Sequence, residues 1–314
     1  MRAGLDIGGT KTEAVAIDQQ GNTVHGLRLP TGLGATHVAQ TAERATRELA
    51  SLIGCEPADF ESIGVGIPGV VDPVSGQVHH AVNLGITGMD LAGILSHRLG
   101  VPVRVENDVK AAALGAYHMM GLKGSAALLN IGTGLAAGII INGCVSRGSQ
   151  GAAGEIGHVP INPDGPVCSC GQRGCLETVA SGAAIARMWS SDNELPARDL
   201  FDRAEAGESR AIEVRDIFTS GVAAAIRLLV LTIDVQTVVV GGGLSSLGDQ
   251  LLQPVTEVLS RWGQGSAFLR SRHLGERVRL LPAGLAVATV GAALVGANTP
   301  DPEASSQLSA SSAE

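Results

Sequence analysis

The sequence predicts an α/β fold duplicated into two domains around a cleft, with a metal-binding knuckle in the second half. Three observations carry this expectation. Short apolar, β-rich runs alternate with longer stretches of helical spacing along most of the chain. The segment LDIGGT at residues 5–10 is echoed by LNIGTG at 129–134, so one strand–loop–strand unit occurs twice, with its two loops expected to face each other across the cleft. One histidine and three cysteines crowd into residues 158–175.

The elements follow in order. Residues 3–7, 13–17 and 23–29 read as strands, with the turn chemistry of Asp18-Gln19-Gln20-Gly21-Asn22 between the second and third. Residues 36–52 carry Val38, Ala42, Ala45, Leu49 and Leu52 at helical spacing. A strand at 62–67 is ended by Pro68-Gly69, a helix at 91–99 is closed by Gly100, and a short strand at 103–105 leads into a helix at 109–117. The second series opens with strands at 126–131 and 136–141, then a Gly-rich stretch holding the cysteines. Helices around 182–189, 212–231, 251–262 and 288–295 and strands at 237–240 and 278–281 complete it. From residue 298 the chain is rich in Pro and Ser without an apolar period and reads as disordered.

Composition excludes several classes. Of 314 residues 45% are hydrophobic and 17% charged, which is incompatible with wholesale disorder. The net charge of −8, the absence of a basic run and only 2% aromatic residues argue against a nucleic-acid partner. Asp6 interrupts the N-terminal apolar run at once, so no signal peptide fits and a cytoplasmic location is expected. The uncharged stretches 124–146 and 280–297 contain polar residues, many glycines or Pro282, and read as buried core segments rather than membrane spans. Five cysteines, an odd number, point away from a disulfide framework; Cys55 and Cys144 read as plain buried thiols.

Five motifs can carry chemistry. In DIGGTKT, Gly8 and Gly9 let backbone amides approach phosphate oxygens, Thr10 and Lys11 add a hydroxyl and a cation, and Asp6 can hold magnesium through water. The same residues also suit an ordinary hairpin turn, and their spacing matches neither a P-loop nor a dinucleotide fingerprint. Gly132, Thr133 and Gly134 form the partner loop. VVVGGG places Gly241, Gly242 and Gly243 at a strand end, where a flat ligand such as adenine, or simply a strand–helix turn, is accommodated. VENDVKAAALG sets Asn107 and Asp108 between a strand and a helix. Asp108 fits a helix cap, a first helical residue, or a base that accepts a proton from a substrate hydroxyl; Asn107 offers a sugar both donor and acceptor.

The fifth motif is the sharpest. His158, Cys168, Cys170 and Cys175 give H-x9-C-x-C-x4-C, the ligand set of a closed, structural tetrahedral zinc site. Glu155 and Glu177 flank it. Pinned carboxylates beside a histidine suit a polyhydroxylated ligand such as a sugar, although they also suit hydrogen bonding around the metal or plain solvation.

Taken together, DIGGTK, GIPGVVD, VENDVKAAALG, NIGTG, GEIGH, CSCGQRGCLE and VVVGGG, in this order across roughly residues 5–295, resemble the ROK family of sugar kinases and repressors within the actin-like ATPase superfamily. The resemblance implies a small domain of residues 1–108 completed by the helix at 288–297, and a large domain of 109–287 holding the zinc loop. It implies ATP-dependent phosphorylation of the primary hydroxyl of a hexose, N-acetylglucosamine or glucose first, by a homodimer. Asp108 would be the general base. Gly69, Asn83, Asn107, Glu155, His158 and Glu177 would line or grip the sugar. Residues 8–11 and 132–134 would face the phosphates with Asp6 near magnesium, and residues 241–243 would face the adenosine. The chain departs from the family pattern in four places, one of them LLPAGLAVATVGAAL, residues 280–294, which lacks the usual polar residue before the last helix. Leu135, Ala136 and Ala137 follow Gly134 where the family continues with glycines. Leu176 stands where the family's glucokinases often have an aromatic, as in its N-acetylhexosamine kinases. NLGITGMD, residues 83–90, lacks a tryptophan that glucokinases carry. The family's helix-turn-helix repressor segment is not expected, because the first strand begins at residue 3. A non-catalytic sugar sensor, an actin-like structural ATPase and a polyphosphate-using kinase are the competing readings.

Overall fold

Each half of the chain begins with a hairpin. The computed structural model describes residues 1–72 and 74–297; the tail expected to be disordered lies outside them. The first half runs β1 (Arg2–Ile7), β2 (Lys11–Ile17), β3 (Thr23–Pro30), α1 (Ala35–Leu52), β4 (Ile63–Ile67), β5 (Val70–Val71), β6 (Gln77–Ala81), β7 (Ile86–Asp90), α2 (Leu91–Leu99), β8 (Val103–Asn107) and α3 (Asp108–Met119). The second runs β9 (Ser125–Ile131), β10 (Leu135–Ile141), β11 (Cys144–Val145), α4 (Gly182–Met188), α5 (Pro196–Glu205), α6 (Ser209–Ile233), β12 (Thr237–Gly241), α7 (Asp249–Gly265), α8 (Ala267–Arg270), β13 (Val278–Leu280) and α9 (Val287–Ala297).

The duplication is a duplication of topology. One sheet has the order β3-β2-β1-β4-β8 and the other β11-β10-β9-β12-β13. In each, an antiparallel hairpin comes first and two parallel strands are added on its far side. The two Gly/Thr loops therefore occupy equivalent places, each closing the hairpin after the first strand of its sheet. A third, small sheet of order β5-β6-β7 was not expected. Its strands are two to five residues long and are interrupted by a 3-10 turn at Val82–Leu84, too short for a period to be read.

The chain divides into two compact units. The first comprises residues 1–120, 147–152 and the stretch from 286; the second comprises 121–146 and 153–285. Helix α3 groups with the first unit, where it packs on α9, whereas the boundary implied by the resemblance, between 108 and 109, falls after its first residue. In the first unit, Leu5, Ile7, Ile63, Val65 and Ile67 pack against Val38, Ala42, Ala45 and Leu49 of α1. The alternate strand residues Val15 and Ile17 face Val290 and Ala293 of α9 instead, as the two-residue period of a strand requires. Small residues bring α9 close. A Cβ on Gly4 would run into Thr289 O, one on Gly64 into Ala292 O, and one on Gly115 into Val287 O.

The second unit has its own core, in which Leu129, Ile131, Val238 and Val240 pack with Phe218, Val222, Ile226 and Leu229 of α6 and Val255 and Leu259 of α7. Phe201 meets Phe218 edge-on at 6.2 Å. Among the described residues α6 alone is long and apolar enough to cross a membrane, and its buried face accounts for that composition. The stretch 124–146 forms β9, β10 and β11, and 280–297 contains α9. Two thiols depart from expectation: Cys144 is exposed because β11 is an edge strand, and Cys55 is half-buried just beyond α1.

Candidate active site and metal centre

In the first unit the chemistry collects where β1, β4 and β8 end. The turn 8–10 is closed by Gly8 N–H donating to Lys11 O at 2.9 Å. Thr31 braces it, its Oγ1 donating to Gly8 O at 2.8 Å and its N–H to Thr10 O at 3.1 Å. Gly9 and Thr10 are left exposed. Asn83 lies against this turn, its carbonyl oxygen 3.5 Å from where a Cβ on Gly9 would sit. Lys11 begins β2 rather than extending the turn, and its Nζ donates to Glu13 Oε1 at 3.2 Å. Glu13 is also paired with Arg28.

Asn107 ends β8 and caps α3. Its Oδ1 accepts from Val109 N at 3.1 Å and Lys110 N at 3.2 Å, while its Nδ2 donates to Gly69 O at 3.2 Å and to Asp108 Oδ1 at 3.0 Å. Asp108 is thus the first helical residue, not the cap, and its Oδ1 also accepts from Val109 N at 2.9 Å. Gly69, with φ of 106°, lies 2.8 Å in virtual Cβ distance from His79 O, so the backbone at Asn107's acceptor tolerates no side chain.

Asp6 and Asp108 flank Gly66: a Cβ there would lie 3.6 Å from Asp108 Cα and 3.7 Å from Asp6 Oδ1. Burial first, then the charges of Asp108 and Glu13, push the Asp6 carboxyl up to about 7, with Lys11 opposing. Two buried charges that sequence reasoning passed over frame the pair. Glu106 accepts from Asn107 N at 3.0 Å and from Arg147 Nε at 2.6 Å, and Lys110 Nζ donates to Gly151 O at 2.8 Å. Charged residues on both sides of Asn107–Asp108 in an otherwise apolar strand–helix junction were the available signal.

In the second unit the loop 132–134 turns with Gly132 N–H donating to Gly134 O at 3.1 Å. Beside it lies a cavity of about 600 Å³ lined by Gly132, Thr133, Ala183, Arg198, Gly243 and Leu244 among others. Its wall at 195–198, just where α5 starts, carries no pattern legible in sequence. The three glycines at the end of β12 do different jobs. A Cβ on Gly241 would meet Leu128 at 2.8 Å and one on Gly242, with φ of 82°, would press on the backbone of Ile131 at 2.6 Å. Gly243 has open space before it and faces the cavity.

The knuckle closes as the spacing predicts. One ligand atom from each of His158, Cys168, Cys170 and Cys175 lies within 4.8 Å of every other. Cys168 Sγ is 3.7 Å from His158 Nδ1, and Cys170 Sγ is 3.7 Å from Cys175 Sγ. A tetrahedron with Zn–S bonds of about 2.3 Å has edges of about 3.8 Å, so the donor set and its span fit zinc. Burial, with hydrogen bonds from its neighbouring thiols, pushes Cys175 up to about 12, while the Gln172 backbone and side chain pull Cys170 down to about 6. His158 turns Nδ1 toward the cluster, so Nε2 points elsewhere. Glycines fold the loop: a Cβ on Gly174 would strike Asn162 O, and one on Gly165 would lie 2.7 Å from Gly174 Cα. Glu155 is exposed one turn before His158, and Glu177 is half-buried two residues after Cys175, its Oε2 accepting from Leu135 N at 2.9 Å.

Comparison with known proteins identifies the family. The ROK family model matches residues 2–294. A glucokinase of Halalkalibacterium halodurans is 33% identical over 294 residues, covering 84% of this chain and 88% of its own. An N-acetyl-D-glucosamine kinase of Pasteurella multocida is 31% identical over 276 residues, covering 82% and 89%. The crystal structure of a ROK family glucokinase from Streptomyces griseus in complex with glucose and AMPPNP superposes with a TM-score of 0.76 at 29% identity, covering 94% of this chain and 99% of that one. The chain therefore belongs to the ROK family and has its duplicated, two-domain actin-like ATPase α/β fold.

Proposed function

We propose that this protein is an ATP-dependent sugar kinase that transfers the γ-phosphoryl group to the primary 6-hydroxyl of a hexose, with N-acetylglucosamine and glucose the leading substrates. The observation that carries the reading is the Asn107–Asp108 pair: a carboxylate at a helix start, oriented through Oδ1 by Asn107 Nδ2 and Val109 N–H. Asp108 takes the hydroxyl proton as the sugar oxygen attacks phosphorus and ADP leaves. Asn83, Glu155, His158 and Glu177 hold sugar hydroxyls beside Gly69, so that the reacting oxygen stands in line, while Asn107, whose side chain is spent on Gly69 O, Asp108 and the first amides of α3, orients the base.

The turn 8–11 and the loop 132–134 take the phosphates, and the 600 Å³ cavity beside Gly243 takes the adenosine. Asp6, a buried carboxylate raised by its surroundings and by Asp108, suits a site where a hydrated magnesium ion balances charge. Magnesium, when bound with ATP, neutralises charge on the transferring phosphoryl group. The Cys3His set holds structural zinc and so fixes the positions of His158 and Glu177. The glucose- and AMPPNP-bound relative supports both ligand classes.

A sugar panel with ATP and magnesium, read as ADP released, tests the reading. Sugar-dependent ADP release is expected. Calorimetric sugar binding without any ADP release would favour the sensor instead.

A further inference from the structure

Glu177 is assigned above to the sugar, yet one of its oxygens is already committed. Oε2 accepts the Leu135 N–H at 2.9 Å, the first amide after the loop 132–134. Gly134 makes this approach feasible, since a Cβ there would sit 2.5 Å from Glu177 Oε2. The rest of the loop is held by the same short stretch of chain. Gly182 N–H donates to Gly132 O at 2.8 Å and Ala183 N–H to Thr133 O at 3.1 Å. Residues 177–183 thus hold both ends of the loop, and they begin two residues after the metal ligand Cys175. On the other side, Leu176 N–H donates to Val159 O at 2.9 Å, next to His158. Residues 154–157 lie along the start of β10: Ala137 N–H donates to Gly154 O at 2.8 Å, and a Cβ on Gly157 would strike Leu135 O.

From this continuous set of contacts we infer that Glu177 is a positioning residue for the nucleotide, holding the 132–134 loop in its phosphate-binding shape and tying that shape to the Cys3His knuckle. The inference rests on the kinase reading, which assigns the loop to phosphate. It goes beyond it by giving a residue of the sugar group a second task, in nucleotide affinity. A loop of two glycines and a threonine has many accessible conformations, and an amide's hydrogen bond to a carboxylate is among the stronger means of selecting one. Gly132 and Thr133 also line the cavity, so a displaced loop disturbs the nucleotide directly.

The test is binding of magnesium–ADP without sugar, followed by calorimetry, for the wild type, Glu177→Ala, Glu177→Gln and Gly134→Ala. Loss of a charge-assisted hydrogen bond predicts affinity about ten-fold weaker for Glu177→Ala. Glu177→Gln keeps an acceptor for Leu135 N–H and should stay within about three-fold of wild type. Gly134→Ala leaves Glu177 in the chain but drives its carboxylate off the amide, and should reproduce the Glu177→Ala loss. Should Glu177→Ala fail to fold, Gly134→Ala binding as tightly as wild type overturns the inference. Glu177→Ala binding as tightly as wild type, or Glu177→Gln binding as weakly as Glu177→Ala, overturns the inference and leaves the kinase reading intact. A wild-type protein that binds no magnesium–ADP, with no sugar-dependent ADP release, overturns the kinase reading itself.

Discussion

Asp108 and Asp6 are two aspartates on either side of Gly66. Asp108 begins α3, and its Oδ1 accepts from Val109 N–H and Asn107 Nδ2, which fixes the orientation of the carboxyl group. Asp108→Asn should lower turnover by about 10²–10⁴-fold while sugar affinity, measured by calorimetry, changes little. Wild-type-like turnover would remove Asp108 from the role of general base. Asp6 is buried beside Asp108 and is raised from 3.8 to about 7. Its folded form therefore keeps a proton that the unfolded chain releases. In magnesium-free buffer this contribution to stability is complete below pH 3.8, declines as pH rises, and is gone above about 7. Asp6→Asn should flatten that part of the pH dependence of urea midpoints; an unchanged slope would contradict the assignment.

The knuckle behaves as an element in its own right, although little regular secondary structure holds it. Its shape comes from glycines that allow backbone to pass close to backbone and from four ligand side chains converging on one point. Three neighbouring thiolates repel one another unless a cation lies among them. Cys170→Ser should therefore reduce zinc from about one ion per chain to a small fraction, read by elemental analysis, with sugar affinity falling alongside. A variant with full sugar affinity and no zinc would separate the knuckle from the sugar. The spacing of the ligands made this element readable in advance. The contact between Glu177 and Leu135 was not readable, because the partners are 42 positions apart.

At the scale of the whole chain, the first unit is assembled from both ends of the sequence. Helix α9, from the far end, packs on β1, β4 and α3 through faces of Gly and Ala. Gly64→Ala should cost about 1–3 kcal/mol or more, because the new methyl meets a backbone carbonyl of α9 rather than a movable side chain. Gly265→Ala, at the end of α7 with nothing near its Cβ position, should be neutral in the same chemical denaturation measurement.

Periodicity and motif spacing alone determined that this chain alternates strands and helices, that its strand–loop–strand unit is duplicated, and that one histidine and three cysteines converge. These are local properties, set by side-chain pattern within a few tens of residues. Tertiary structure alone decided that Asn107 is the cap and Asp108 the first helical residue, that α3 joins the first unit, that Lys11 pairs with Glu13, and that Gly241 and Gly242 serve packing while Gly243 faces the cavity. Each of those depends on which partner reaches a group first in space, and a linear pattern holds no record of distances between residues far apart along it.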